Sequence, residues 1–353
     1  MPEQAVGLIH HSTPTLGEAE ARALARVVAS GYLSRGPEVA RFEAATAERL
    51  GRGGAVATGS GTQALELALR VLGVGPGAEV VVPSYTCTAV LDAVVSVGAT
   101  AVLVDVSRDT LNLTAETVLP RLSPRTGAVV VPHMCGLPAP IDEICGLGVP
   151  VVEDCAQCLG TVWQGRPVGG WGVASILSFY ATKVLATGYG GMLLGDEEAL
   201  LKEARDLIDY DEREEYRQRL HPCFSELQAG LGLAQLERLE GFVERRRAIA
   251  ARYTEAFGGL AVAVPQGDGH MYFRYVLRCE GPGEGLIGWL AQRGIEAMRP
   301  VYRPLHQYLG LPEEEFAGSQ WLHEHVVSLP IYPSLSDGQA ERVIRGVTSF
   351  VHR

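Results

Sequence analysis

From Gly54 to Cys155, short apolar runs alternate with segments whose apolar residues recur at helical spacing. GAVATG (54–59) reads as a strand, TQALELALRVLG (62–73) as a helix closed by Gly73, and EVVVP (79–83) as the next strand. TAVLDAVVSVG (88–98) follows as a helix and TAVLVDV (100–106) as a strand. GAVVVPHM (127–134) is a strand, IDEICGLG (141–148) a short helix and VPVVEDC (149–155) a strand. These strands are β-branched and apolar throughout, as when both faces are covered. The alternation predicts an α/β fold, a mostly parallel sheet with helices on both sides and right-handed crossovers.

The pattern changes after about residue 230. Residues 233–257 predict one long amphipathic helix, with Leu236, Leu239, Phe242, Ile249 and Tyr253 at helical spacing. HMYFRYVLRC (270–279) then predicts a strand, residues 286–292 a helix, and residues 337–351 a last helix. This is a smaller α+β unit. Two domains are expected, 1–235 with an N-terminal arm and 236–353, which suits a chain of 353 residues. No repeat of fixed period and no low-complexity tract interrupts them.

Composition narrows the function classes. Apolar residues make up 47% and charged residues 20%, ordinary for a soluble globular protein. A net charge of −11 argues against a nucleic-acid partner held by a broad basic face. The one basic run, Arg245–Arg247 beside Glu244, reads as a solvated helix face. MPEQAVGLIHH has neither the basic nor the apolar region of a signal peptide. The most apolar window, 89–106, is interrupted by Asp92, Ser96, Gly98, Thr100 and Asp105, so it reads as helix, turn and strand rather than a membrane span. A cytoplasmic protein with no membrane partner is the expectation. Seven cysteines, an odd number, suit a reducing compartment. Cys155 and Cys158 form a CxxC with no second pair and no histidine at finger-like spacing, so buried thiols and no metal are expected.

Ligands of parallel sheets bind outside the carboxyl ends of the strands, and three segments there carry chemistry. Gly59, Ser60 and Gly61 join a strand to a helix that begins at Thr62. Free N–H groups and the helix dipole make an anion site there, though a plain helix cap explains the same residues. The strand VVED ends in Glu153 and Asp154. A carboxylate on a cleft floor needs a cationic partner, such as a protonated pyridine nitrogen, unless it merely caps the next loop. Lys183 is the only lysine between residues 1 and 201, and it follows an apolar, aromatic stretch. A lysine in a dry pocket loses its charge readily and becomes a nucleophile; the alternative is a surface lysine in a loop. Ser178 could donate a hydroxyl to a phosphate.

The order of these features resembles that of fold-type I enzymes dependent on pyridoxal phosphate (PLP). The resemblance narrows to the DegT/DnrJ/EryC1/StrS sugar aminotransferase family. SGYLSRGPEVARFE, ATGSGTQALELAL, VGPGAEVVVPSYT, VEDCAQ, VGGWGVASILSFYATK, TGYGGMLL, QAGLGLAQLERL, YRPLH and SLPIYP follow in family order over nearly the whole chain. It implies that Lys183 carries the cofactor and Asp154 pairs with the ring nitrogen. Gln157 would lie near the ring's phenolic oxygen, and Gly61, Thr62, Gln63 and Ser178 would hold the phosphate. Tyr32, Tyr302 and His306 are candidate substrate contacts. The resemblance further implies an amino-acid donor (glutamate or glutamine), a nucleotide-linked keto sugar as acceptor, and a homodimer whose sites take residues from both subunits.

Three positions depart from the family pattern. Tyr189 stands where GEGG is usual, Cys87 where an aromatic ring often stacks on the cofactor, and His221 where the partner subunit often sends an asparagine. They keep open a PLP-binding regulator without turnover. A PLP sugar dehydratase would have histidine at position 183, and a nicotinamide dehydrogenase would need a G-x-G-x-x-G between strand and helix of the parallel sheet, which residues 54–155 lack.

Overall fold

The computed structural model describes residues 7–211, 214–220, 223–260, 262–263 and 267–353. Its central sheet has seven strands: β1 (Gly54–Thr58), β2 (Glu79–Pro83), β3 (Thr100–Val104), β4 (Thr126–Pro132), β5 (Val151–Asp154), and two more beyond a small hairpin. That hairpin is β6 (Val162–Trp163) and β7 (Arg166–Pro167); the sheet resumes with β8 (Ala174–Ser178) and β9 (Gly191–Gly195). The spatial order is β1-β9-β8-β5-β4-β2-β3. All neighbours are parallel except β9, which runs antiparallel to both β1 and β8.

Helices cover both faces: α1 (Glu18–Ser30), α2 (Pro37–Leu50), α3 (Gly61–Val71), α4 (Thr88–Ser96), α5 (Ala115–Val118), α6 (Ile141–Cys145), α7 (Glu198–Ile208) and α8 (Glu226–Leu236). Strand alternation sorts the side chains. Val80 and Val82 join Leu65 and Leu69 of α3 and Val90 and Val94 of α4 in one core. Val81 joins Tyr85, Ile141 and Ile144 on the other side. Each fully buried aliphatic side chain contributes roughly 1.5–3 kcal/mol.

The C-terminal part builds α9 (Leu239–Phe257), a three-stranded antiparallel sheet of β10 (Val262–Ala263), β11 (Tyr275–Cys279) and β12 (Val326–Leu329), and helices α10 (Glu284–Ala291), α11 (Leu305–Tyr308), α12 (Ala317–His325) and α13 (Asp337–Val351). Ile249, Tyr253, Phe257, Leu277, Leu290 and Val343 share a separate core, which Ile9 of the N-terminal arm also enters.

The structure corrects two expectations. The long helix over 233–257 is interrupted at Glu237–Arg238, where Arg238 flattens to ψ −2° and its N–H bonds back to Gln235. The strand over 270–279 starts only at Tyr275, because Tyr272 takes a left-handed φ of 56° that no strand accommodates.

Candidate active site

A cleft of about 250 Å³ opens where the carboxyl ends of β5 and β8 meet the starts of α3 and α4. This is the ligand position of open parallel sheets. Asp154, Lys183, Ser178, Gly61, Thr62 and Cys87 all line it.

Asp154 is the last residue of β5, set between Pro132 of β4 and Ile176 of β8. It is only 9% exposed. The Ala156 N–H donates to its Oδ1 at 2.9 Å, and no other hydrogen bond reaches the carboxylate among the described residues. Burial raises its pKa; the Ala156 hydrogen bond and the charges of Lys183 and His133 offset that in part. Lys183 sits in the turn after β8, its N–H bonded to the Tyr180 carbonyl at 2.8 Å. Its Nζ lies 5.4 Å from the centre of the Phe273 ring. Burial lowers its pKa, while Cys87 and Asp154 raise it and Arg274 lowers it further. The cleft therefore moves acid and amine both toward their neutral forms, as low-dielectric surroundings do. Each supplies part of the charge that the other lacks.

At the start of α3, the Ser60 side chain accepts the Gln63 N–H at 3.2 Å. The cap does not exclude an anion site, since one hydroxyl satisfies only one of the unpaired first-turn donors. Close packing shapes this end. A Cβ on Gly61 would meet Ser178 Cβ at 2.8 Å, and one on Gly191 would meet the Ser60 carbonyl at 2.3 Å. Only glycines let β8 and β9 press this near to the helix start.

Cys87 is the N-cap of α4 and its side chain is open to the cleft. The enclosing protein raises its thiol pKa, and so does Asp154, while Lys183 lowers it. Tyr85, two residues earlier, is wholly buried in the core and does not reach the cleft. Tyr189 lines the mouth, largely exposed, with its ring edge-on to Tyr180 at 5.7 Å. Tyr180 and the apolar wall of Leu65, Ala89, Ala156 and Ile176 were not singled out from the sequence. Nothing in their spacing distinguishes them from core residues.

Five expected contacts fall elsewhere. The Gln63 amide oxygen is turned toward Gly59, whose Cβ it would meet at 2.6 Å, and the residue does not line the cleft. Gln157 uses its amide oxygen to accept the Cys135 N–H at 3.0 Å and also lies off the wall. Tyr32 and Tyr302 are strongly exposed outside the cleft. His306 is fully buried, bonded to Ser84 at 2.7 Å and stacked on Phe316. A ring so enclosed cannot touch a ligand directly. His221 lies outside the described residues.

The CxxC thiols are buried next to His133, the three ligand atoms within 4.8 Å of one another. Both His133 nitrogens are engaged, however. Nε2 faces Glu153 at 3.1 Å, and Nδ1 accepts the Ala139 N–H at 3.0 Å. Burial raises both thiols, so they remain protonated.

Comparison with known proteins bears on the family and the fold. The profile of the DegT/DnrJ/EryC1/StrS aminotransferase family matches residues 14–348. The spore coat polysaccharide biosynthesis protein SpsC of Bacillus subtilis (strain 168) is 34% identical, with 97% of this chain and 96% of that protein covered. The aminotransferase TlmJ from Streptoalloteichus hindustanus superposes with a TM-score of 0.92 at 36% identity, covering 98% and 99% of the two chains. A Streptococcus pneumoniae protein solved in a PLP form gives a TM-score of 0.91 at 26% identity, over 98% and 99%.

Proposed function

This chain belongs to the DegT/DnrJ/EryC1/StrS aminotransferase family, and from that premise we propose that it moves an amino group from glutamate or glutamine to a nucleotide-linked keto sugar. It is a PLP-dependent aminotransferase with the α/β architecture of fold type I. The donor, the acceptor and the residue roles below are our reading.

The observation that carries the reading is one cleft holding Lys183, Asp154 and the start of α3 together. Two further features support a fit to PLP. The glycines at 61 and 191 let β8 and β9 close on the start of α3, which sets Ser178 beside its first-turn N–H groups. The Asp154 carboxylate has an oxygen without a donor among the described residues, open to a ring N–H. Bound PLP supplies an electron-withdrawing ring that stabilises negative charge at the substrate carbon bearing the amine.

The chain's own groups do the rest. Asp154 keeps a proton on the ring nitrogen, since an opposite charge within a few ångströms shifts a pKa by ~1–3 units. The first-turn N–H groups of α3 and the Ser178 hydroxyl bind the phosphate. Lys183 would hold the cofactor, and burial, which lowers its pKa, would favour its Nζ as the base that takes a proton from the donor's α-carbon and returns it elsewhere. The apolar wall keeps water from these transfers.

A homodimer with shared sites belongs to the same proposal, and the exposed Tyr32 and Tyr302 await a partner there. So does a cytoplasmic place; no helix among the described residues is long and apolar enough to cross a membrane. The test is optical. The holoenzyme should change its cofactor absorbance on one addition of glutamate, and Lys183→Ala should lack the absorbance band near the visible edge. A band that survives in Lys183→Ala overturns the lysine assignment. Unchanged absorbance with every amino acid favours the PLP-binding regulator.

A further inference from the structure

One cation near Lys183, though not on the cleft wall, has no role in the account above. Arg274 starts the segment leading into β11. The Met271 N–H bonds to the Gly136 carbonyl and the Arg274 N–H to the Cys135 carbonyl, both at 3.1 Å. Across this junction two non-glycine residues face each other in left-handed backbone, Cys135 at φ 60° and Tyr272 at φ 56°. Such conformations cost on the order of 1–3 kcal/mol each and persist where the surroundings impose them, often at functional sites. Gly136, at φ 86°, permits the approach, for its Cβ would meet the Phe273 nitrogen at 2.8 Å.

The result is a cluster of positive charge on one ring. Lys183 Nζ lies 5.4 Å from the Phe273 centroid, Arg274 Cζ 4.5 Å and Arg246 Cζ 5.9 Å. Lys183 and Arg274 are thus within about 10 Å of each other, near enough for their charges to interact. Arg246 Nη1 donates to the carbonyls of Tyr272, Phe273 and Ile331, while its Nε meets no acceptor among the described residues. The Arg274 guanidinium donates to no acceptor and meets no carboxylate among the described residues. Burial lowers its pKa to about 10. A cation–π contact contributes roughly 0.5–2 kcal/mol but leaves the five N–H donors of the fork unused. A half-buried cation without a protein acceptor is free to take an anion.

We propose that Arg274 is the residue that receives the carboxylate of the amino donor. The inference rests on the aminotransferase reading. The amine to be transferred must reach the place of Lys183, and an amino acid carries a carboxylate one carbon from that amine. A planar fork within about 10 Å of the lysine amine suits this group, whereas the phosphate has its own place at α3.

The test uses the PLP-loaded enzyme titrated with glutarate, a dicarboxylate without an amine, followed by calorimetry. Arg274→Gln should weaken glutarate binding by about 10- to 100-fold, the range for a hydrogen-bonded charge. Arg274→Lys should fall between, keeping the charge and losing the fork. PLP affinity should stay unchanged. The KM for glutamate should rise in Arg274→Gln, while the half-reaction with butylamine keeps the wild-type rate. If Arg274→Gln does not fold, the Arg274→Lys titration decides. Glutarate affinity within about twofold of wild type in whichever variant decides overturns the inference. So does a wild-type enzyme that does not bind glutarate, or an equal loss with butylamine. Glutarate binding that depends on Arg274, in an enzyme that no amino acid converts, upholds this inference and sinks the aminotransferase reading alone.

Discussion

Glu153 and Asp154 are consecutive, and their carboxylates serve opposite faces of β5. Asp154 lines the cleft with one hydrogen bond from Ala156. Glu153 is fully buried and accepts the N–H groups of Gly169, Trp171 and Gly172 at 2.6–2.8 Å, with His133 Nε2 at 3.1 Å. Arg52 stands behind it, bonded to the carbonyls of Gly169 and Gly172. The period-two geometry of a strand separates a reactive acid from a structural one across a single peptide bond.

Asp154→Asn removes the charge and keeps the shape, and the new amide oxygen can still accept from Ala156. The ring nitrogen then loses its anionic partner. Turnover should fall by at least about a hundredfold, the scale of losing one preorganised electrostatic group. Single-turnover spectra with glutamate would measure it, and PLP fluorescence titration would separate it from lost binding. An unimpaired rate would remove Asp154 from the chemistry.

Glu153→Gln places an NH2 group against donors that need an acceptor. It should destabilise the fold by about 3 kcal/mol in urea unfolding at pH 7. Burial raises the Glu153 carboxyl, but the His133, Gly172 and Gly169 hydrogen bonds outweigh it, and its pKa lies below the ordinary carboxylate value. A depressed folded-state pKa gives stability that is complete above the unfolded-state pKa and is lost as pH falls through the folded one. The gap between wild type and variant should therefore be full at neutral pH and narrow in acid. A gap independent of pH would show that the carboxylate charge does not matter.

Gly191→Ala tests the close approach of β9 to the start of α3. The new methyl would meet the Ser60 carbonyl carbon and oxygen at 2.3 Å and the Gly61 nitrogen at 2.6 Å, all backbone atoms that cannot swing aside. We expect a loss of roughly 1–3 kcal/mol from overpacking and a weaker hold on PLP. Gly288→Ala in α10, with open space around it, is the control and should be neutral or slightly stabilising. Equal PLP affinity in Gly191→Ala and wild type would separate this contact from the cofactor site.

Strands β1 to β5 and the cleft's main residues were legible because their signals are local, whereas β8, parallel to β5, was not read as a strand. β2 and β4 are apolar runs between turns, and Asp154 and Lys183 stand out as charges in apolar surroundings. β9 was not legible. Its residues GMLLG resemble any buried run, and its antiparallel place between β1 and β8 depends on pairing across more than a hundred residues. Phe273 and Arg274 were hidden inside a segment with strand-like composition, since a positive φ at Tyr272 leaves no mark in the pattern. His306 was misplaced for the opposite reason. The resemblance of YRPLH to a family segment drew His306 into the substrate contacts, and only packing shows that it is enclosed.

That enclosure gives His306 a definite task. The Leu305 N–H donates to the Ser84 carbonyl at 2.8 Å, and the His306 N–H donates to Ser84 Oγ at 3.2 Å. With that oxygen accepting, the Ser84 hydroxyl proton is free to donate to His306 Nδ1 at 2.7 Å, which assigns the remaining ring proton to Nε2. Three hydrogen bonds thus tie α11 to the loop that leads, three residues on, to Cys87 at the cleft wall. His306→Leu keeps bulk against Phe316 but leaves the buried Ser84 hydroxyl without an acceptor, a loss of about 1–3 kcal/mol. His306→Asn can place an amide oxygen near the Nδ1 position and should recover part of it. Thermal unfolding would report the stability, and PLP affinity the position of the loop. If the clamp positions the cleft, PLP binding weakens in His306→Leu and returns in His306→Asn. A PLP affinity that stays at the wild-type value while Tm falls would confine His306 to packing.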